Sequence, residues 1–156
     1  PLREPPQRLD TVDLVVHNGA AADQGSCYAM QLRPTALIHL VSGTRVPIDL
    51  WQGAREVVAV AGIGNPQRFF RTLQNCGFSC DQRVFADHAT YSNESLGDLP
   101  PEKTVIMTEK DAVKCHALAQ DNWWYLSVDA ELSDAFASAL SALLPTAPAQ
   151  HKLLQE

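Results

Sequence analysis

The stretch EVVAVAGIGNPQRFF, residues 56–70, decides the fold class of this chain. Its first six residues form a continuous apolar run, which is typical of a strand buried on both faces of a parallel sheet. A tight turn at 62–64 follows, after which Asn65 is a good helix N-cap and Pro66 suits the first helical position. The stretch therefore predicts a strand, a turn and a helix, the unit from which parallel α/β sheets are built.

The same alternation of strand and helix continues along the rest of the chain. Apolar runs predict strands at 79–85, 104–108 and 123–128, and helical spacing predicts helices that begin near Thr108 and near Ser133. Gly77 suits the residue that ends the helix of the deciding stretch. About four alternations after residue 55 predict an α/β fold, a small parallel Rossmann-like sheet with helices on both faces.

The first fifty residues have a different pattern. The opening twelve are polar and rich in proline, which predicts an extended lead-in, and 13–18 predicts a short strand. Two further strands are predicted at 28–32 and 36–41, and a turn at Ser42-Gly43 would pair the second of them with 44–48. We therefore expect a short antiparallel β-hairpin linker before the α/β domain.

These patterns divide the chain into three predicted regions. Residues 1–50 are expected to form a junction segment and the antiparallel β linker. Residues 51–145 are expected to form a carboxyl-terminal α/β domain, and 146–156 a loose tail. Because the chain starts with Pro1 rather than Met, we expect it to be part of a longer protein.

Composition excludes several classes of protein. The 18 Asp and Glu outnumber the 12 Lys and Arg, and a net charge of −6 argues against broad binding to nucleic acid. No apolar run reaches the ~20 residues that span a bilayer, and no signal peptide is visible. The four cysteines form no C-x-x-C pair, so neither a metal site nor a disulfide framework is expected.

Three polar segments follow predicted strands and so should meet at one edge of the sheet. They are 62–65 (GIGN), Asp87-His88 and 108–111 (TEKD). Ligands of open α/β sheets bind at this edge. The convergence therefore predicts a candidate site.

Each of these segments also has a purely structural interpretation. The GIGN turn could hold an anion at a helix N-terminus, but it lacks the third glycine of a dinucleotide fingerprint and could equally serve close packing. Asp87-His88 could be an acid–base pair or part of an ordinary loop. In 108–111, helix capping explains most of the pattern, and an anion held by Lys110 is the alternative. No phosphate-binding P-loop motif appears.

Taken together, the motifs resemble one family, the bacterial tetraacyldisaccharide 4′-kinases. The matching segments occur in the family's order and span residues 2 to about 144. They are LREP (2–5), the strand ending in NG (18–19), GIGNP with RFF (62–70), DH (87–88), MTEKDAVKC (107–115) and WYL (124–126).

The resemblance implies that this chain is the carboxyl-terminal, lid-like domain of such a kinase. The family transfers the γ-phosphate of ATP, with Mg²⁺, to the 4′-hydroxyl of a tetraacyldisaccharide 1-phosphate in lipid A biosynthesis. It is membrane-associated at the cytoplasmic face of the bacterial inner membrane. Its partners here would be the amino-terminal P-loop domain of the same enzyme and the lipid A precursor disaccharide. This chain alone is expected to be soluble, inactive and without tightly bound ATP or Mg²⁺.

The resemblance also assigns roles to individual residues. His88 matches the family's catalytic histidine, and Asp87 would support it. Arg3 and Glu4 match a segment at the domain junction near the nucleotide cleft. Gly62, Gly64 and Asn65 match the GIGNP turn and are assigned, with Arg3 and Glu4, to the nucleotide or substrate cleft, although a structural role is favoured for the turn. No residue is expected to bind metal. The alternative is a stand-alone α/β module that binds a nucleotide or a phosphorylated sugar through the GIGNP turn.

Overall fold

The computed structural model describes residues 4–19, 23–87 and 89–144. It divides into two compact units: the larger is Arg33–Asp129, and the smaller takes its described residues from Pro1–Leu32 and Ala130–Glu156. Three short 3₁₀ helices occur at Pro6–Thr11, Ile48–Leu50 and His116–Leu118. The other elements are β1 (Val15–Asn18), β2 (Cys27–His39), β3 (Arg45–Pro47), β4 (Glu56–Ala61), α1 (Pro66–Asn75), β5 (Ser79–Val84), β6 (Val105–Thr108), α2 (Glu109–Cys115), β7 (Trp123–Leu132) and α3 (Asp134–Leu143).

The larger unit is built on a mostly parallel sheet, as the sequence predicts. Its strand order is β5-β4-β6-β7, and each neighbouring pair in that order is parallel. β2 lies next to β7 and pairs with β3 in antiparallel register. From β4 the chain winds outward to β5, whereas from β6 it winds to β7 on the other side. The strand order therefore reverses between β4 and β6, where open α/β sheets have their ligand crevice.

The core of this unit lies on both faces of β4. Val57, Ala59 and Ala61 pack with Phe70 of α1, whereas the alternate residues Val58 and Val60 pack into a cluster on the opposite face that includes α2. Since successive strand residues point to opposite faces, α1 and α2 cover opposite sides of the sheet. Each large apolar side chain buried in this way contributes about 1.5–3 kcal/mol to stability.

The helix of the deciding stretch begins and ends where the sequence predicts. The Asn65 Oδ1 accepts a hydrogen bond from the Arg68 N–H at 3.3 Å, and Pro66 is the first helical residue. After α1, Gly77 has a φ of +85°, a left-handed conformation that favours glycine. These local signals place α1, and with it the turn that precedes it.

The first fifty residues differ from the prediction in three respects. The two strands predicted at 28–32 and 36–41 form one continuous strand, β2, which contains Pro34. The proline lies between the residues paired with β1 and those paired with β3, so its missing N–H breaks neither pairing. β1 pairs with β2 in parallel rather than antiparallel, and the predicted extended lead-in contains the 3₁₀ helix Pro6–Thr11.

Two further sequence-based expectations concern the second half of the chain. β7 continues to Leu132, beyond the predicted end at residue 128. The predicted tail, 146–156, lies outside the described residues. Among the helices that are described, none has both the length and the apolar character needed to cross a bilayer.

Candidate functional site

The carboxyl ends of β4, β5 and β6 bring together the three polar segments that the sequence singles out. The Lys110 ammonium lies 2.9 Å from the Oδ1 of Asp87, which joins the segment after β6 to the segment after β5. The Asp111 Oδ2 accepts a hydrogen bond of 2.9 Å from the Gly62 N–H, which joins β6 to β4. The predicted convergence is therefore confirmed.

Asp111 is the buried centre of this edge. Its side chain is 0% exposed, and its Oδ2 accepts from both the Gly62 N–H and the Thr108 hydroxyl, the latter at 2.6 Å. Its Oδ1 lies 3.6 Å from the Lys114 ammonium. The Thr108 Oγ1 in turn accepts from the Asp111 N–H at 3.2 Å, which is the predicted cap of α2. The Thr108 hydroxyl thus caps α2, and the Asp111 carboxylate that accepts from this hydroxyl also holds the backbone of the turn after β4.

Two further titratable groups are buried beside Asp111. Burial, together with the Asp111 charge, raises the pKa of the Tyr91 hydroxyl well above its ordinary value. The same causes, partly offset by Lys114, raise the pKa of the Cys115 thiol to about 11. The Asp111 carboxylate also interacts directly with the Tyr91 hydroxyl, which contributes to the rise in the Tyr91 pKa. Tyr91 and Cys115 are therefore protonated at neutral pH.

Asp87 and Lys110 form the exposed counterpart of this buried group. Their side chains are 44% and 45% exposed, so solvent screens the pair and its contribution to stability is small. A lysine in the first turn of a helix is disfavoured by the helix dipole, and the neighbouring carboxylate offsets this. Lys110 thus holds an anion, but that anion is a side chain of the protein.

The two glycines of the turn after β4 have different surroundings. A Cβ on Gly62 would clash with the Tyr91 hydroxyl and would stand 3.1 Å from the Asp111 Oδ1. Gly64 has ordinary space, with the Asp87 Oδ2 at 3.7 Å. Close packing therefore explains Gly62, and Asn65 is engaged as the cap of α1. A carboxylate beside the turn disfavours a second anion there.

The remaining residues predicted for the site lie either in the smaller unit or outside the residues that the structure describes. Glu4 forms an ion pair of 3.2 Å with Arg8 in the smaller unit, and both side chains are more than half exposed. Arg3 and His88 lie outside the described residues. The functional roles assigned to all of these residues from sequence stay predictions.

The carboxylates of this edge are engaged by other groups of the protein. Within 4–19, 23–87 and 89–144, no group of three or more His, Cys, Asp or Glu side chains is placed to hold a metal ion. Asp87 is engaged by Lys110, and Asp111 by Gly62, Thr108 and Lys114. Mg²⁺ prefers several free oxygen ligands in octahedral geometry, which these two carboxylates do not offer.

Two clefts lie away from this edge. One of about 480 Å³ is in the smaller unit, where the Asp23 carboxylate accepts from the Ala29 N–H and the Ser133 hydroxyl, both at 2.7 Å. These two hydrogen bonds lower the pKa of Asp23. The other, of about 160 Å³, lies beside α2 between Leu40, Val113 and their neighbours. Glu109 of the segment 108–111 lines the second cleft, and the other lining residues of both clefts lie outside the predicted site.

The sequence analysis missed the burial of Asp111 and the part played by Tyr91. The T-x-x-D pattern identified Asp111 only as a capping residue, which is normally exposed. The available signal was its place in the first turn after the buried strand β6, at the edge of the sheet where the GIGN turn was also predicted. Tyr91 carried no signal of its own, because its contact with Gly62 depends on tertiary structure.

Comparison with known proteins identifies relatives over almost the whole chain. The sequence profile of the tetraacyldisaccharide-1-P 4′-kinase family matches residues 1–145. The tetraacyldisaccharide 4′-kinase of Pseudomonas syringae pv. syringae (strain B728a) is 54% identical over 136 residues, 87% of this chain and 41% of the relative. That of Pseudomonas aeruginosa (strain LESB58) is 51% identical over 144 residues, 92% of this chain and 43% of the relative.

A solved structure is also similar. The crystal structure described as the "apo" form of LpxK from Aquifex aeolicus in complex with ATP superposes with a TM-score of 0.64 at 25% identity. The superposition covers 89% of this chain and 44% of that one. The chain thus spans less than half the length of these relatives.

Proposed function

This chain belongs to the tetraacyldisaccharide-1-P 4′-kinase family, and from that premise we propose that it is the carboxyl-terminal lid domain of a lipid A 4′-kinase. The whole enzyme would transfer the γ-phosphate of ATP to the 4′-hydroxyl of a tetraacyldisaccharide 1-phosphate. The names of the relatives support the reaction, and the ATP complex of a structural neighbour supports the phosphate donor. The share of each relative that is matched supports a partial role, with a P-loop domain supplied by the rest of the enzyme.

One observation carries the proposal for this chain's own residues. Asp87, at the carboxyl end of β5, is fixed by Lys110 at the edge of the sheet where ligands of α/β proteins bind. His88 follows it directly in sequence. We propose that His88 faces the reacting groups as the domain closes and tunes the basicity of the carboxylate that accepts the sugar hydroxyl proton. Asp87 would keep the imidazole oriented.

The chemistry of phosphoryl transfer accounts for the proposed roles of the two domains. Phosphoryl transfer depends on positioning and on charge stabilisation, which a closing domain provides by fixing groups and excluding water. ATP and Mg²⁺ would be held by the P-loop domain of the whole enzyme, as the family resemblance implies. The lipid A precursor would lie between the two domains, at the cytoplasmic face of the inner membrane, where the whole enzyme would be membrane-associated.

Kinase assays of the full-length enzyme test the role of His88. His88→Ala is expected to lower kcat about 100-fold or more, the usual range for loss of an acid–base group. The matched control is His116→Ala, which removes an exposed histidine of the 3₁₀ helix after α2. Full activity of His88→Ala would overturn the catalytic proposal.

Calorimetric titration of this 156-residue chain with ATP and Mg²⁺ separates the lid from a stand-alone binding module. The lid interpretation expects no saturable heat at millimolar nucleotide and no phosphorylation of the disaccharide by this chain. Saturable binding that is lost in Gly64→Val would favour the module. The Asp87 carboxylate beside Gly64 argues for the first outcome, because it disfavours a phosphate at that turn.

A further inference from the structure

Two consecutive residues of α2 contact the two ends of one short loop. At the first end, the Lys110 ammonium lies 2.9 Å from Asp87. At the other end, the Tyr91 hydroxyl and the Asp111 Oδ1 both lie where a Cβ on Gly62 would stand, and the two groups interact with each other. The residues that α2 contacts, Asp87 and Tyr91, stand on either side of position 88.

The loop is also closed onto the end of β5. The Tyr91 ring packs edge-on against Phe85, with ring centroids 5.1 Å apart. The Ala89 N–H donates to the Ala86 carbonyl at 3.0 Å, which makes a tight turn between the two ends. A shift of α2 therefore moves both ends of the loop together.

We propose that Lys110 and Asp111 are positioning residues, which hold Asp87 and Tyr91 and thereby set the place of His88 in the kinase reaction. The inference rests on the proposed function of His88. It adds that the first turn of α2 orients the loop.

The two contacts differ in the constraint that they supply. Asp111 is 0% exposed and accepts a hydrogen bond of 2.9 Å from the Gly62 N–H. It therefore fixes how closely the Tyr91 end of the loop approaches the sheet. Lys110 acts on a half-exposed carboxylate through a flexible side chain, so it fixes the direction of the Asp87 end without adding much stability. A role in stability alone would therefore be expected of Asp111, but not of Lys110.

Lys110→Met in the full-length kinase tests the first contact. Since a displacement of about 1 Å in a reacting group costs up to ~100-fold in rate, we expect kcat to fall about 10- to 100-fold. The KM for ATP should change less than about threefold, and the thermal midpoint should not move. Lys110→Arg, which keeps the charge, should restore most of kcat. Lys103→Met, a matched change at an exposed lysine before β6, should leave kcat unchanged.

Tyr91→Phe tests the second contact, because it removes the hydroxyl and keeps the ring that packs on Phe85. We expect kcat to fall about tenfold at an unchanged KM for ATP. A merely structural role predicts the reverse, a changed thermal midpoint with kcat unaffected. Asp111→Asn, which preserves the shape of the side chain, serves as a second variant at the buried position.

A spectroscopic measurement gives a readout that does not depend on catalysis. In this chain, the side-chain NMR signals of His88 should shift in Lys110→Met, return toward wild type in Lys110→Arg and stay in place in Lys103→Met. Unchanged His88 signals in Lys110→Met would overturn the positioning proposal. So would wild-type kcat in both Lys110→Met and Tyr91→Phe in an enzyme that His88→Ala inactivates. If the signals shift but His88→Ala is fully active, the proposed function fails and the contact between α2 and the loop stands.

Discussion

The first turns of α1 and α2 follow neighbouring strands of one sheet and are stabilised by different means. α1 is capped by an exposed asparagine, Asn65, and its first turn contains no acidic residue. α2 is capped by the buried Thr108, and its first turn contains Glu109 and the fully buried Asp111. The first turn of α1 is therefore held by an exposed cap, whereas that of α2 also contains a buried carboxylate.

The difference shows how an α/β sheet can fill the crevice where its strand order reverses. The glycine at the end of β4 leaves room, and the carboxylate from the start of α2 occupies it and accepts the Gly62 N–H. The two sides depend on each other, because a side chain at position 62 would clash with Tyr91 and Asp111, and the carboxylate accepts a hydrogen bond from the Gly62 N–H. The variants below alter one side at a time.

Asp111→Ala should have the largest effect on stability. It would leave the Gly62 N–H and the Thr108 hydroxyl without their acceptor and the Lys114 ammonium without its counter-ion. Breaking a buried ion pair from one side costs about 3–5 kcal/mol, and we expect a loss of that size in the free energy of unfolding by urea. Asp111→Asn should lose less, because it keeps one oxygen. A loss below about 1 kcal/mol for Asp111→Ala would contradict a stabilising role for the buried carboxylate of α2.

Gly62→Ala should come next, because the added methyl group meets the Tyr91 hydroxyl and Asp111. Overpacking of a well-filled site costs about 1–3 kcal/mol, measurable in the same urea titrations. Gly64→Ala is the matched control, since its Cβ would meet nothing closer than the Asp87 Oδ2 at 3.7 Å. We expect it to lie within about 1 kcal/mol of wild type. Equal losses at both glycines would mean that space at Gly62 is not what limits the turn.

The two helix caps should differ in a smaller but measurable way. Asn65→Ala removes one exposed cap and should cost about 1 kcal/mol in the free energy of unfolding. Thr108→Ala should cost more than Asn65→Ala, because the lost hydroxyl also donates to Asp111 at 2.6 Å inside the protein. Identical losses would show that the buried hydrogen bond adds nothing to the cap of α2.

The smallest effect on stability is expected at Lys110. Its ion pair with Asp87 is nearly half exposed, so Lys110→Met should change the free energy of unfolding by less than about 1 kcal/mol, and less again in high salt. Lys114→Met should cost more, since Lys114 compensates a carboxylate that is 0% exposed. A larger loss in Lys110→Met than in Lys114→Met would mean that the exposed ion pair stabilises this edge more than the buried one.

Much of the larger unit could be predicted from sequence, because its signals are local. The apolar run of β4, the Asn-Pro start of α1 and the glycine at 77 each act within a few residues, and all three predictions are confirmed. The meeting of three segments at one edge followed from parallel topology alone. These features require no knowledge of which distant residues pack together.

The features that could not be predicted depend on long-range pairing. The continuity of β2 through Pro34 depends on which strands pair on either side of the proline, and a proline in sequence normally indicates a strand end. The burial of Asp111 depends on a glycine 49 residues earlier in the chain. Without knowledge of the contact with Gly62, the sequence pattern indicates only an exposed capping residue.

The rate at which the buried thiol of Cys115 is alkylated measures how often this edge of the sheet opens. Alkylating reagents attack thiolates, and a cysteine that is 0% exposed with a pKa raised to about 11 presents almost none. Cys115 can therefore be alkylated only in molecules whose α2 has transiently separated from the sheet. In a variant that keeps Cys115 alone among the cysteines at 27, 76, 80 and 115, the labelling rate reports the fraction of time that the helix spends open.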